Sequence, residues 1–231
     1  MRKLFFVGQD CVTAGDADII KEDGTIDVPD IGVGENYRGK AKYVVYDIDD
    51  IDESVCEEVL ARKKKEPLVI FETDRFIIRE MSVGDLQECY DLYDSLKECP
   101  YIEPLYEYEE EKVFTEKYIE NMYGFFGYGL WLVWDKNTGS LVGRIGIENR
   151  SIDGNTCQEL GYLVRKEWQG KHVALEVCTR LIKVARDRFY IDELYICTDI
   201  KNIPSISLAH RLGFSEYAAD INGMNIYRKI L

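Results

Sequence analysis

A short polar turn around Gly170 is the part of this sequence best suited to bind an anion. Before the turn, residues 159–164 alternate with a period of two, which predicts a strand. After it, apolar residues recur at helical spacing from 173 to 182, which predicts an amphipathic helix. A helix that begins after such a turn presents unpaired backbone N–H groups and the positive end of its dipole. The sequence therefore predicts a phosphate-binding turn, with an ordinary helix start as the alternative.

A second run of residues, 202–214, could serve the same site. Asn202 and Ser205 are polar residues at the start of a predicted helix, a place where both residue types also favour capping. Gly213 suits the end of that helix, and Phe214 suits the start of a core strand. Capping does not exclude chemistry, so both interpretations stay open for Asn202 and Ser205.

The runs EWQGKHVALEV and NIPSISLAHRLGF, with Glu-Leu-Gly-Tyr before the first, resemble the GNAT superfamily of acetyl-CoA-dependent N-acetyltransferases. Within it, the sequence is most similar to the branch of the ribosomal-protein N-terminal acetyltransferases, over roughly residues 73–231. The family's phosphate turn is usually Q/R-x-x-G-x-G/A. Those positions hold Glu167, Gly170 and His172 here, so the central glycine matches and the two outer positions depart.

The resemblance implies acetyl-CoA as the co-substrate. The residues expected to bind it are Val164, Gln169, Gly170, Lys171, His172, Val173, Ala174 and Asn202. Gly170 and the helix N-terminus would supply backbone donors, and Lys171 would add positive charge. His172 is a costly departure if the backbone there needs a positive φ. Either the backbone at His172 is right-handed helical, or the affinity for the cofactor is reduced.

Acetyl transfer to an amine requires removal of a proton from the amine and stabilisation of the departing thiolate. Glu159 matches a strand carboxylate that related enzymes place near the acceptor amine, and it is the predicted base. Pairing with an Arg or Lys is its structural alternative, and Glu148 is the second candidate base. Ser205 is the predicted acid, because the position at which many family members carry a tyrosine acid holds Ala209 here.

The loop 101–111 falls in the region that lines the acceptor side in this family. It combines five glutamates with three tyrosines: Glu103, Glu107, Glu109, Glu110, Glu111, Tyr101, Tyr106 and Tyr108. A wall of carboxylates and aromatic rings would suit a cationic amine, and a solvated acidic loop is the alternative. The acceptor is expected to be a small-molecule or peptide amine.

The chain has 231 residues and a formal net charge of −14. Because phosphate contacts dominate nucleic-acid binding, so acidic a chain is a poor binder of nucleic acid or of an anionic membrane. Seven cysteines without a C-x-x-C pair and only two histidines give no zinc spacing, so no metal is expected. The odd number of cysteines and the absence of a signal peptide predict reduced thiols in the cytoplasm. The sequence leaves a homodimer open.

The first 67 residues are predicted to form a separate small α/β domain, with a boundary near Pro67. Strands are expected at 3–7, 26–33 and 43–46, and helices at 11–20 and 53–65. This segment resembles the C-terminal part of a HAD-like hydrolase fold through the run Val7-Gly8-Gln9-Asp10. No D-x-D nucleophile motif precedes that run, so the domain is expected to be non-catalytic.

From residue 68 onward, alternating strand and helix patterns predict a mixed, mostly antiparallel sheet flanked by helices, as the GNAT resemblance also implies. The chain is therefore expected to be an α/β protein with two domains, 1–67 and 68–231. Its predicted activity is acetyl-CoA-dependent N-acetylation of a primary amine. The alternative is a non-catalytic acyl-CoA-binding or regulatory protein on the same fold. A kinase or dehydrogenase is disfavoured, because the sequence has no P-loop and no dinucleotide fingerprint.

Overall fold

The computed structural model describes residues 3–8, 11–16, 30–34, 38, 43–51, 53–221 and 223–231. The chain separates into two compact units, residues 1–68 and 69–231. In the described ranges, no helix is long and apolar enough to cross a membrane. No group of three His, Cys, Asp or Glu side chains among the same residues could hold a metal ion.

The smaller unit combines a four-stranded sheet with one helix. Its elements are β1 Lys3–Gly8, β2 Cys11–Asp16, β3 Asp30–Val33, β4 Tyr43–Val45, a 3-10 turn at Ile48–Asp50 and α1 Glu53–Lys64. The strands lie side by side in chain order. Their pairing is antiparallel for β1–β2 and β2–β3 and parallel for β3–β4. Ile31, Ile51 and Val59 form a small buried core.

The helix predicted at 11–20 is wrong, because residues 11–16 form strand β2. This strand pairs with β1 along all six of its residues. Val12 and Thr13 are β-branched, and such side chains fit a pleated strand better than a helix. Asp10 lies outside the described residues, so the resemblance of this segment to a HAD-like fold stays a prediction.

The larger unit is built on an eight-stranded mixed sheet. Its strands are β5 Val69–Glu72, β6 Phe76–Arg79, β7 Leu130–Asp135, β8 Leu141–Ile152, β9 Asn155–Val164, β10 Glu193–Asp199, β11 Ser215–Ile221 and β12 Met224–Ile230. Their order across the sheet is β11-β12-β10-β9-β8-β7-β6-β5. Neighbouring strands of this sheet are antiparallel except β9 and β10, which are parallel. The predicted mixed, mostly antiparallel sheet is confirmed.

Helices cover this sheet and carry the connections between its strands. They are α2 Leu86–Asp94, α3 Tyr108–Tyr118, α4 Val173–Phe189 and α5 Ile203–Arg211. Helix α3 continues as a π-helical segment, Ile119–Phe126, which ends at Gly127 in the left-handed conformation. Helix α4 contacts β8 and β9, and α5 contacts β10. Of the apolar stripe predicted for α4, Val173, Val177, Cys178 and Leu181 are buried, and Ala174 and Ile182 are half-buried.

Candidate active site

The two parallel strands β9 and β10 separate soon after they meet. They pair at one position, Glu159 with Tyr195, whereas β9 pairs with β8 over 155–164 and β10 pairs with β12 over 193–199. The carboxyl ends of β9 and β10 therefore face each other across a gap. A cavity of about 910 Å³ opens there, lined by both strands and by the first residues of α4 and α5.

The turn between β9 and α4 borders this cavity. A 3-10 turn, Lys166–Trp168, leads into it, and Nε2 of Gln169 donates a hydrogen bond to the carbonyl oxygen of Val164 at 3.1 Å. Gly170 has a φ of +75°, which glycine adopts without steric cost. The first N–H groups of α4, beginning at Val173, have no acceptor within their own helix. The turn thus presents free N–H groups and the positive end of the helix dipole to the cavity.

His172 is the N-cap residue of α4, and its backbone is left-handed, with φ 61° and ψ 19°. The right-handed alternative for this residue is therefore wrong. A residue other than glycine in this conformation costs about 1–2 kcal/mol, and the surrounding turn must hold it there. The other alternative, reduced affinity for the cofactor, stays a prediction.

Most of the residues predicted to bind the cofactor line the cavity. They are Val164, Gln169, Gly170, His172, Val173, Ala174 and Asn202. Lys171 is placed differently, because its Nζ lies over the ring of Trp168, 5.0 Å from the ring centroid. Lys171 thus adds positive charge beside the turn without lining the cavity.

Arg75, between β5 and β6, fastens the turn to the sheet. Its Nε donates to Oε2 of Glu176 at 2.7 Å, and a terminal nitrogen donates to the carbonyl oxygen of Lys171 at 3.1 Å. Burial alone would raise the pKa of Glu176, but hydrogen bonds from Thr73 and Arg75 outweigh burial and lower it. Arg75 is 101 residues away from Glu176 and 96 away from Lys171, so no local sequence pattern could have revealed its role.

The predicted base, Glu159, lies where β9 and β10 part. Its Oε2 accepts a hydrogen bond from Arg150 at 2.8 Å, and its Oε1 accepts one from the backbone N–H of Cys197 at 3.2 Å. That N–H points across the gap toward β9, so the carboxylate replaces a missing backbone partner. The ion pair that a structural role predicts is present, and the role of Glu159 as a base stays a prediction.

Glu148, the second candidate base, is the cross-strand neighbour of Glu159. The two residues are directly opposite in the β8–β9 register, so their side chains share one face of the sheet. Oε1 of Glu148 accepts a hydrogen bond from the hydroxyl of Tyr118 at 3.0 Å. Burial, together with the nearby Tyr123 and Glu148, raises the pKa of Tyr118, so its hydroxyl stays a donor. Glu159 lines the cavity and Glu148 does not, which favours Glu159 for contact with a substrate.

The start of α5 brings Asn202 and Ser205 to the cavity. Oδ1 of Asn202 accepts a hydrogen bond from the N–H of Ser205 at 3.3 Å, so the predicted capping role of Asn202 is confirmed. The Oγ of Ser205 lies 2.8 Å from the hydroxyl of Tyr162, a contact that the sequence did not indicate. Ala209, one turn further along α5, is completely buried.

The predicted acceptor wall is divided between two roles. Tyr101 and Glu103 line the cavity together with neighbouring residues of the same loop. Glu111 is buried and accepts a hydrogen bond from the N–H of Tyr106 at 3.1 Å, so it holds the loop against α3. The rest of the acidic loop lies away from the cavity lining.

Comparisons with known proteins agree with this geometry. A sequence model described as "Acetyltransferase (GNAT) domain" matches residues 75–215. YdaF of Bacillus subtilis (strain 168) is 31% identical over 88 residues, which cover 38% of this chain and 48% of YdaF. The chain spans about half the length of the curated relatives it matches.

The fold is shared with solved structures, among them the following two. One is RimL, a ribosomal L7/L12 alpha-N-protein acetyltransferase in complex with coenzyme A, with a TM-score of 0.59 and 17% identity over 71% of this chain and 98% of RimL. The other is MccE, a microcin C7 self-immunity acetyltransferase in complex with acetyl-CoA and AMP, with a TM-score of 0.56 and 18% identity over 69% of this chain and 94% of that chain.

Proposed function

The chain belongs to the GNAT acetyltransferase family, and we propose that it transfers the acetyl group of acetyl-CoA to a primary amine. The observation that carries this proposal is the coincidence of three features at one cavity. The strands β9 and β10 part after a single paired position, a turn with free N–H groups opens α4, and two polar residues open α5. RimL and MccE, which share the fold, are complexes with coenzyme A and acetyl-CoA.

The residues at the cavity fit such a co-substrate. The N–H groups at Gly170 and at the start of α4 suit a pyrophosphate, because they are donors at the positive end of a helix dipole. The strand edges on the two sides of the gap between β9 and β10 suit an amide-bearing chain, and Asn202 adds a side-chain amide there. When bound, acetyl-CoA supplies an activated acetyl group on sulfur.

Two residues of the chain would then act as the base and as the hydrogen-bond donor to the leaving group. Glu159 accepts the proton of the incoming amine, directly or through water, from a position beside Arg150. Ser205 donates a hydrogen bond to the departing sulfur from the start of α5. The two side chains line the same cavity from β9 and α5, as opposite ends of a transfer reaction require.

The acceptor we propose is a small-molecule or peptide amine, not a nucleic acid. Glu103 and Tyr101 on the cavity wall favour a positively charged amine over a neutral or anionic group. The RimL acceptor is a ribosomal protein, so a peptide N-terminus belongs among the candidates.

A non-catalytic acyl-CoA-binding or regulatory protein is the second candidate function. The left-handed His172 in the phosphate turn, the ion pair at Glu159 and the buried Ala209 all favour it. It differs from the enzyme in one measurable property, which is turnover in the presence of an amine.

The experiment has two steps on the full chain. Acetyl-CoA should raise the melting temperature, because a ligand that binds only the folded state stabilises it by mass action. A library of amines and peptides is then screened for release of free CoA. No thermal shift at millimolar acetyl-CoA would refute both functions, and a shift without turnover on any amine would favour the non-catalytic protein.

A further inference from the structure

Tyr162 and Ser205 form a pair of hydroxyl groups inside the cavity, and the proposed reaction does not yet use Tyr162. Their oxygens are 2.8 Å apart, so either hydroxyl can be the donor, and the hydroxyl of Tyr162 can also donate to the carbonyl oxygen of Ser205 over a longer distance of 3.3 Å. Both residues line the cavity, although 43 residues separate them in the chain. We propose that Tyr162 is the positioning residue that turns the hydroxyl proton of Ser205 toward the sulfur of CoA. This inference rests on the proposed function.

The hydrogen-bond capacity of the two groups supports this assignment. A serine hydroxyl has one proton to donate and two lone pairs that accept. When Tyr162 donates to Oγ of Ser205, one lone pair is occupied and the serine proton is free for a partner in the cavity. Asn202 bonds the N–H of Ser205 and not its hydroxyl, so the partner that the structure gives to the Ser205 hydroxyl is Tyr162.

Tyr162 acts as a hydrogen-bond donor and not as an acid. Burial raises the pKa of Tyr162, and its hydrogen bond with Ser205 offsets only part of that increase. The phenol therefore stays protonated through the working range of pH. When the C–S bond breaks, its electron pair remains on sulfur, Ser205 stabilises the thiolate by a hydrogen bond, and the thiolate takes its proton from solvent.

The position of Tyr162 also accounts for a departure from the family pattern. Ala209 lies one helical turn after Ser205 and is completely buried, so α5 carries no phenol at the place where the resemblance predicts one. Tyr162 reaches the start of the same helix from strand β9 instead. The phenol thus works through Ser205.

The test measures the thiol of bound CoA and needs no acceptor. The thiolate of CoA absorbs in the ultraviolet, so its pKa on the protein can be titrated, with desulfo-CoA as the blank. Because a hydrogen bond to a charged group is worth roughly one to two pKa units, Ser205→Ala should raise the pKa of the bound thiol by about that much. Tyr162→Phe should raise it in the same direction, and the double variant should match Ser205→Ala alone, since Tyr162 acts through Ser205.

Tyr195→Phe is the matched control. Its hydroxyl donates to Glu193 at 2.8 Å within the adjacent strand β10, and its ring packs against Tyr217 of β11. The bound thiol should titrate in this variant as it does in the natural protein. A thiol pKa in Tyr162→Phe that equals the natural one would overturn the role of Tyr162, even if Ser205→Ala shifts it.

A second measurement uses the natural protein alone. If the pair stabilises the thiolate, the affinity for CoA relative to desulfo-CoA rises as the pH passes through the range of a free thiol, about pH 8.5. Desulfo-CoA meets the same charged and titratable groups of the cavity, so their effects cancel in the ratio. These groups are Cys99, Tyr101, Glu103, Arg150, Glu159, Tyr162, His172, Cys197, Asp199 and Arg211. If the ratio of the two affinities does not change with pH, the role of the hydroxyl pair is overturned while the proposed function stands. If neither compound binds, the inference and the proposed function are both refuted.

Discussion

Glu159 is either the general base or only an ion-pair partner of Arg150, and the two roles predict different losses of turnover when the carboxylate is removed. In Glu159→Gln, the side-chain oxygen can still accept from the N–H of Cys197, while the charge that pairs with Arg150 and the basic oxygen are both lost. If Glu159 is the general base, turnover should fall about 10²-fold or more. That factor corresponds to about 2.7 kcal/mol in the activation barrier, at about 1.36 kcal/mol for each factor of ten.

If the carboxylate only pairs with Arg150, the loss should be much smaller. The side chain of Arg150 is 43% exposed and that of Glu159 is 15% exposed, so the pair is partly solvated. Such pairs contribute about 0.2–1 kcal/mol, or no more than about fivefold in rate. Arg150→Gln is the matched control, because it breaks the same ion pair and keeps the carboxylate. It should lower turnover by no more than about fivefold.

The assay follows CoA release at saturating acetyl-CoA over a range of pH, with an acceptor found in the amine screen. The loss in Glu159→Gln should shrink at high pH, where the free amine is abundant. The thermal shift by acetyl-CoA must be equal in all three proteins, since a binding defect imitates a catalytic one. Equal losses in Glu159→Gln and Arg150→Gln, or an unchanged pH–rate profile in Glu159→Gln, would refute the assignment and favour Glu148 or a water chain.

Three further predictions concern the turn and the fold. Gly170→Asp should abolish the thermal shift by acetyl-CoA through charge repulsion. Gly170→Ala is the matched control: it carries the same strain of a side chain at a φ of +75°, but its Cβ meets no atom within 4 Å and adds no charge, so it should keep a thermal shift. Similar shifts in both variants would contradict the phosphate site. His172→Gly should bind acetyl-CoA at least as tightly as the natural protein, measured by calorimetry. Its free energy of unfolding should change by no more than about 1 kcal/mol, because relief of the left-handed conformation offsets the entropy of glycine. Weaker binding would show that the imidazole itself contacts the ligand. Burial would raise the pKa of Asp85, but hydrogen bonds from Arg79 and Ser82 outweigh burial and lower it. The stability that this group contributes is therefore present above the ordinary Asp range and is lost as the pH falls through the lowered pKa. Asp85→Asn should therefore flatten the acid side of a urea-unfolding series measured against pH, and an unchanged slope would count against the pair.

The parts of the site that the sequence predicts depend on neighbours in the chain. The phosphate turn is encoded by Gly170 and by a change of period within a few residues, so it could be read without tertiary information. The cap of α5 is also local, since Asn202 bonds the N–H three residues ahead. The sheet is predictable for a related reason, because most of its strands carry a clear alternation and pair antiparallel with their neighbours in the chain.

The parts that escaped prediction depend on contacts between distant residues. Arg75 reaches Glu176 across 101 residues, and Tyr162 reaches Ser205 across 43. Neither contact leaves a periodic pattern in the sequence. The segment 11–16 is predicted as a helix because so short an apolar run is ambiguous, and only its pairing with β1 decides that it is a strand. The left-handed backbone at His172 was likewise left open, since only the assembled turn imposes it.

The single paired position between β9 and β10 also has a mechanical consequence. Hydrogen-bonded strands move together, so the sheet behaves as a plate of five strands, β5 to β9, beside a plate of three, β10 to β12. The line between the plates has the fewest paired positions of any two neighbouring strands in this sheet, so bending along it would change the width of the cavity with the least loss of strand pairing. A ligand bonded to both edges would stiffen that line. For the proposed transferase, release of the product would then depend on bending of the sheet along this line.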